Sequence, residues 1–289
     1  MTATILITGA GGQVGHALAL GSSSHRLLAL PRADLDVTDP LRIEAAFDRY
    51  KPDVVINAAA YTQVDRAESE PEQAYATNRD AVSHLAHACH GRGLPLLHVS
   101  TDYVFSGEAK GYYREEDAIA PHSVYGESKA EGDEALRRAL ARHIILRTSW
   151  VFSATGNNFV KTMLRLGKQR EELGIVDDQH GCPTSARSIA EVLLLIAKRY
   201  LDGEPIPWGT YHFCNSPATT WHDFAVRIFE LAGGYENLIL RRISTPEYPT
   251  PARRPMNSTL NCDKLQAQLA VELPDWHEEL RLVLAQLKS

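Results

Sequence analysis

The sequence is poor in cysteine: Cys89, Cys182, Cys214 and Cys262 are the only four in 289 residues, and no two stand in a C-x-x-C spacing. That scatter excludes a disulfide framework or a zinc knuckle and fits reduced thiols. Positive charge is not in excess either. Thirty lysines and arginines against 36 acidic residues leave a net charge of −6, no footprint for nucleic acid, so an anionic substrate must be caught by local charges. No apolar stretch approaches the ~20 residues that span a bilayer, so no membrane partner is expected. The first apolar run, Ile5-Leu6-Ile7, follows no basic leader, which makes secretion unlikely in favour of a cytoplasmic location. Low-complexity tracts and internal repeats are missing, and 44% hydrophobic with 23% charged residues is an ordinary globular composition.

What is present is an alternation. Short apolar runs at 3–8, 25–30, 54–58, 96–100 and 144–148 alternate with helical patterns, which reads as parallel βαβ units. Helices are signalled by Asp39-Pro40 as cap and first turn, by 72–89 closed at Gly91 and Gly93, and by 123–141. The fold class is α/β: a doubly wound, Rossmann-like parallel sheet with a crevice at its switch point. Beyond Trp150 the rhythm breaks. Helices at 158–167, 185–201 and 221–232, a Pro-rich linker at 203–207, strand-like 211–213 and 238–243, and two terminal helices remain. Residues 1–149 are therefore expected to form the dinucleotide-binding domain, with some later elements returning to it. Residues 150–289 are expected to form mainly a smaller C-terminal lobe for substrate.

The first strand runs into glycines at Gly9, Gly12 and Gly15, with Gln13 and Val14 inside the turn. Gly9 permits the tight turn, Gly12 lets a pyrophosphate approach the backbone, and Gly15 lets the following helix pack on the sheet. At the end of the third strand, Asn57-Ala58-Ala59-Ala60 offers small side chains where such folds place ligands; Ala59, Ala60 and Thr62 are candidate cofactor contacts. The second strand closes on Arg32. Its guanidinium suits a 2′-phosphate, so NADPH is expected to serve at least as well as NADH.

Tyr125 and Lys129 stand four apart at a helix start and share one face. Such pairs are often only solvated neighbours. Here, however, Ser100, Thr101 and Tyr103 stand upstream at the end of the fourth strand and belong to the same crevice. Carbonyl reduction needs a hydride and a proton for the alkoxide. Tyr125 would donate that proton, Lys129 would bond the nicotinamide ribose, and Thr101 would hold the reacting oxygen. An ammonium near a phenol favours phenolate; taking a tyrosine from ~10 to ~7 requires roughly 4 kcal/mol. No metal is required.

Together these segments resemble the dTDP-4-dehydrorhamnose reductase family of extended short-chain dehydrogenases over nearly the whole chain. They include GQVG at 12–15, NAAAYTQVD at 57–65, STDYVF at 100–105, YGESK at 125–129, RTSWVF at 147–152, NFVKTML at 158–164 and Arg254-Pro255. The resemblance implies reduction of a dTDP-4-keto-6-deoxy sugar to dTDP-L-rhamnose. It also implies Asp36 against the adenine, and Val64, Thr101, Tyr103, Tyr125 and Trp150 facing the sugar. Asn158, Lys161 and Arg254 are candidates for the diphosphate. Some family members form a magnesium-linked dimer through glutamates. Ala17 stands at one such position, so a monomer or weak homodimer without structural metal is expected. A non-catalytic subunit resembling the methionine adenosyltransferase beta subunit, or a sugar-nucleotide epimerase or dehydratase, are the competing readings.

Overall fold

Three strands of this chain have no solvent face: Ile5, Leu6 and Ile7, Val54, Val55 and Ile56, and Ile144, Ile145 and Leu146 are all 0% exposed. Strands buried on both sides need helices above and below, the arrangement of a parallel α/β sheet. The computed structural model, which describes residues 2–288, has this architecture. Strands β1 (Thr4–Thr8), β2 (Arg26–Leu30), β3 (Val54–Asn57), β4 (Leu96–Thr101) and β5 (His143–Thr148) precede the short β6 (Val151–Phe152), β7 (Glu172–Val176), β8 (His180–Gly181) and β9 (Thr184–Ser185); β10 (Gly209–His212), β11 (Thr219–Thr220) and β12 (Ile239–Ile243) follow. The six-stranded sheet is parallel throughout, in the order β10-β5-β4-β3-β1-β2. The order reverses at β1, so Thr8 and Asn57, paired in register, mark the switch point.

Helices α1 (Gln13–Ala19), α2 (Pro40–Tyr50), α3 (Val64–Ala67), α4 (Pro71–Tyr75), α5 (Ala81–Arg92) and α6 (Val124–Ala139) belong to the first half; α7 (Phe159–Gly167), α8 (Ala186–Leu201), α9 (Trp221–Ala232), α10 (Asp263–Leu269) and α11 (Trp276–Lys288) to the second. Alternate strand residues sort onto the two faces. Ile5, Ile7, Ile56 and Leu146 pack with Leu18 of α1 and Ile189 and Leu193 of α8. Leu6, Val55 and Ile145 pack with Phe47 of α2, Leu85 of α5 and Leu136 of α6. Elements of the second half, β10 and α8, thus complete the first sheet. The remainder has its own core around Phe152, Met163, Phe224, Ile228 and Trp276. No described helix is long and apolar enough to cross a membrane.

One expected helix is interrupted. The pattern at 72–89 forms α4, then a π-helical turn Ala76–Asp80, then α5, ended by Gly93 at φ +64. The interruption brings the Asn78 carbonyl so close to α6 that a Cβ on Gly132 would sit 1.9 Å from it. π-turns of this kind concentrate at functional sites.

Below the site, α6 and β5 are joined by a buried ion pair, Arg147 Nε to Asp133 Oδ2 at 3.2 Å, with side chains 2% and 0% exposed. Asp133→Ala leaves that guanidinium buried without a counter-charge. A loss of about 3–5 kcal/mol in stability is expected, and much less in the double variant Asp133→Ala, Arg147→Met. Denaturant unfolding of both variants checks it; equal losses would contradict the pairing argument.

Candidate active site

The glycine turn is built by close approach. Gly9 has φ +71, and a Cβ there would lie 2.5 Å from the Ala59 nitrogen. A Cβ on Gly15 would lie 2.1 Å from the Gly9 carbonyl oxygen, whereas Gly11 meets nothing within 4 Å. The turn is therefore closed towards the sheet and open towards the crevice. No side chain caps α1 at Gly12, which leaves its N-terminal donors to an anion. Val14 is buried in the core. Beside the turn lies a cavity of about 360 Å³ that Arg32, Asp36, Ala59, Ala60 and Thr62 help to line. Its size, its small-residue wall and its two guanidiniums, Arg32 and Arg66, fit the adenosine end of a phosphorylated dinucleotide. Arg32 is 79% exposed, and its Nε lies 3.2 Å from Asp36. Burial would raise the Asp36 carboxyl, but hydrogen bonds from Thr38 and Arg32 hold it below its ordinary value. A larger cavity of about 610 Å³ opens between α1, α8 and α11, and none of Thr101, Tyr125 or Lys129 lines it.

Thr101 ends β4, and Ser123 caps α6 by accepting from the Gly126 nitrogen at 3.1 Å. A Cβ on Gly126 would be 2.3 Å from the Tyr103 carbonyl oxygen, so glycine lets the helix start close against the turn after β4. The structure in this way brings Thr101, Tyr103, Tyr125 and Lys129 together. The Tyr103 and Tyr125 rings meet edge to face with centroids 5.4 Å apart, and the Tyr125 phenol contacts the Thr101 hydroxyl. The same helix is tied to the cofactor wall by Asn78, which donates to Ser128 Oγ at 3.0 Å and to the Tyr61 carbonyl at 3.1 Å.

The expectation of a depressed phenol does not hold here. Burial raises Tyr125 well above its ordinary value, against the contact with Thr101, and Asp102 and Tyr103 add to the rise. The Lys129 amine is engaged towards the sheet: its Nζ donates to the Val99 carbonyl at 2.7 Å and lies 3.1 Å from His98 Nε2. The Ala59 nitrogen donates to Asn57 Oδ1, so Asn57 Nδ2 donates to His98 Nδ1 at 3.0 Å. The imidazole hydrogen is then on Nε2, facing Lys129. Burial lowers Lys129 to about 8, with Asp133 opposing.

On the substrate side, Arg254 Nη2 pairs with Asp65 at 2.6 Å, while its Nη1 is buried without a hydrogen-bond partner. Val64 begins α3 and is partly exposed. Ser100 Oγ is buried and unpartnered. Trp150, at φ +48, is stacked on Trp221 with centroids 3.5 Å apart and lies against Gly181, so one face of its ring is already taken. Asn158 spends its amide elsewhere: it caps α7 through the Lys161 nitrogen and donates to Gln13 and to the Ser153 carbonyl. Lys161 Nζ reaches the Ala154 carbonyl at 3.3 Å. Asn158, with Gln13, laces the second half to the glycine turn, while the Lys161 contact stays within the second half.

Asn57, Asp65, His98, Asp102 and Trp221 were not among the sequence candidates. Asp65 and Asp102 sit inside the segments that carry the family resemblance, which is a usable signal. His98 had none, because a histidine in an apolar strand reads as packing until its neighbours are known.

Residues 3–289 match the family model described as RmlD substrate binding domain. A protein of Aggregatibacter actinomycetemcomitans named dTDP-4-dehydrorhamnose reductase is 46% identical over 290 residues, covering 98% of this chain and 99% of that one. The crystal structure of a dTDP-4-dehydrorhamnose reductase from Clostridium acetobutylicum superposes with a TM-score of 0.92 at 37% identity, over 99% of this chain and 100% of that one. A Bacillus anthracis dTDP-4-dehydrorhamnose reductase crystallised in complex with NADP gives 0.89 at 33% identity, again over 99% and 100%. With this glycine turn, this Tyr-Lys helix and these matches over its whole length, the chain belongs to the dTDP-4-dehydrorhamnose reductase family.

Proposed function

We propose that this protein reduces the 4-keto group of dTDP-4-dehydro-6-deoxy-L-mannose (dTDP-6-deoxy-L-lyxo-4-hexulose) to give dTDP-L-rhamnose, with NADPH as reductant and NADH also accepted. The observation that carries the reading is the convergence of Thr101, Tyr125 and Lys129 beside the open glycine turn in a chain that matches 99% of a reductase of this family. The cofactor supplies the hydride that the carbonyl carbon accepts. Tyr125, protonated at neutral pH because burial raises it, donates its proton to the carbonyl oxygen. Thr101 holds that oxygen, and Lys129 holds the nicotinamide ribose. Gly9, Gly12, Gly15, Ala59, Ala60 and Thr62 form the cofactor wall, with Arg32 at the 2′-phosphate and Asp36 towards the adenine. Arg254, whose Nη1 is unpartnered, binds the substrate diphosphate from a mainly C-terminal lobe over residues 150–289, while residues 1–149 form most of the cofactor domain. The sugar lies between Val64, Ser100, Tyr103 and Trp150.

Incubation with NADPH or NADH and the 4-keto-6-deoxy sugar nucleotide, with and without the 3,5-epimerase that precedes reduction, tests this. Net loss of NADPH that requires the epimerase is the expected result. No net oxidation of either nucleotide would overturn it in favour of a non-catalytic subunit or of an enzyme that returns its hydride.

A further inference from the structure

Asp102 follows Thr101 and opens the short 3-10 turn Asp102–Val104. Its carboxyl is 3% exposed. Oδ1 lies 2.8 Å from Thr101 Oγ1, and Oδ2 has no hydrogen-bond partner. Among the described residues no lysine, arginine or histidine lies within ion-pair distance of it. The groups facing it are Thr101 and Tyr103 of its own segment, Tyr125 of α6, and Cys182, Cys214 and Ser258 from the second half. None of these carries positive charge. A carboxylate here would be buried with only the hydroxyls of Thr101 and Ser258 to answer it and no cation, which buried sites disfavour.

Thr101 has one hydrogen and two lone pairs. One lone pair accepts from the Tyr103 nitrogen at 3.2 Å. If Asp102 were ionised, the Thr101 hydrogen would go to Oδ1. The remaining lone pair would then accept from the Tyr125 phenol and hold its proton away from substrate. If Asp102 is neutral, its acid hydrogen fills that second lone pair, and the Thr101 hydrogen is left to point into the site. A separation of 2.8 Å suits either direction of donation.

We propose that Asp102 is a positioning residue that works as a neutral carboxylic acid: it donates to Thr101 and so makes Thr101 a hydrogen-bond donor to the reacting carbonyl oxygen. The inference rests on the reductase reading given above. A buried acid kept neutral in order to donate is a known device for stabilising an oxyanion. Burial, opposed by Ser258 and Thr101, holds Asp102 at about 7, so the acid form falls away as pH rises through neutrality. Activity that needs this form must fall in the same direction, well below the pH at which Tyr125 ionises.

The test is kcat/KM for keto-sugar reduction on both sides of neutrality. Wild type is expected to lose about tenfold per pH unit above the Asp102 transition. In Asp102→Asn the amide donates to Thr101 and does not titrate, so that limb should vanish and the ratio of variant to wild type should climb with pH. A variant profile parallel to wild type would overturn the proposal and leave the reductase intact. Should Asp102→Asn not fold, Thr101→Val decides, because it removes the hydroxyl through which Asp102 acts. A persisting limb counts against the idea and a lost one supports it. Infrared spectra of wild type with carbon-13-labelled aspartate give a readout free of activity. A protonated aspartate carbonyl band that titrates near neutrality is expected, and none at any pH above the ordinary carboxylate range would overturn the proposal even if no reduction were ever observed.

Discussion

Tyr125→Phe is expected to slow reduction by about two to four powers of ten while leaving NADPH affinity within a few-fold of wild type. The ring stays, so its edge-to-face contact with Tyr103 and the start of α6 are kept; only the proton donor is lost. Burial raises the phenol, which keeps it protonated over the working pH range and makes the group an acid with no nearby substitute of equal reach. The Thr101 hydroxyl would be left as the sole donor at the oxygen. Pre-steady-state NADPH oxidation together with fluorescence titration of the cofactor separates the two effects. Near-normal turnover would remove Tyr125 from the chemistry, and a collapse of cofactor affinity with normal single-turnover rate would reassign it to binding.

Lys129→Met should act on both measurements, with turnover lower by about two to three powers of ten and the NADPH dissociation constant raised about tenfold or more. The side chain is buried and holds the Val99 carbonyl, so methionine fills a similar volume and the fold is expected to survive. The effect has a pH signature. Burial lowers the amine to about 8, so the ammonium is present below that pH and lost above it. Wild-type affinity should therefore weaken as pH rises through about 8, and the gap to the variant should narrow. A dissociation constant unchanged by the substitution at neutral pH would contradict the ribose contact.

Much of this site is legible one residue at a time. Gly9 and Gly15 are recognisable because backbone clashes of 2.1–2.5 Å with any Cβ leave glycine as the only answer, and such turns recur with fixed spacing. Tyr125 and Lys129 are recognisable because helical spacing alone puts them on one face. The sheet is recognisable because strands buried on both faces are apolar without alternation. Asn158 shows the other case: from sequence it is a polar residue at a helix start, equally suited to phosphate or to capping. Only its neighbours, Gln13 and the Ser153 carbonyl, decide for architecture. Trp150 similarly reads as a free sugar-facing ring until Trp221 is seen stacked on one of its faces and Gly181 close against its Nε1 side.

By itself, then, the chain determined those features that rest on local chemistry: the strand-turn-helix entry, the doubly wound class and the shared helix of Tyr125 and Lys129. The protonation of that machinery was decided only in three dimensions. Tyr125, Lys129 and Asp102 all depart from their ordinary pKa values mainly because the folded chain removes water from them. Desolvation depends on everything packed around a group, and those neighbours come from segments up to about 150 residues away, such as Ser258 beside Asp102. Spacing along the sequence reports who can meet; the charge each group carries when they do is set by burial and by the direction of each hydrogen bond, which exist only once the fold has closed.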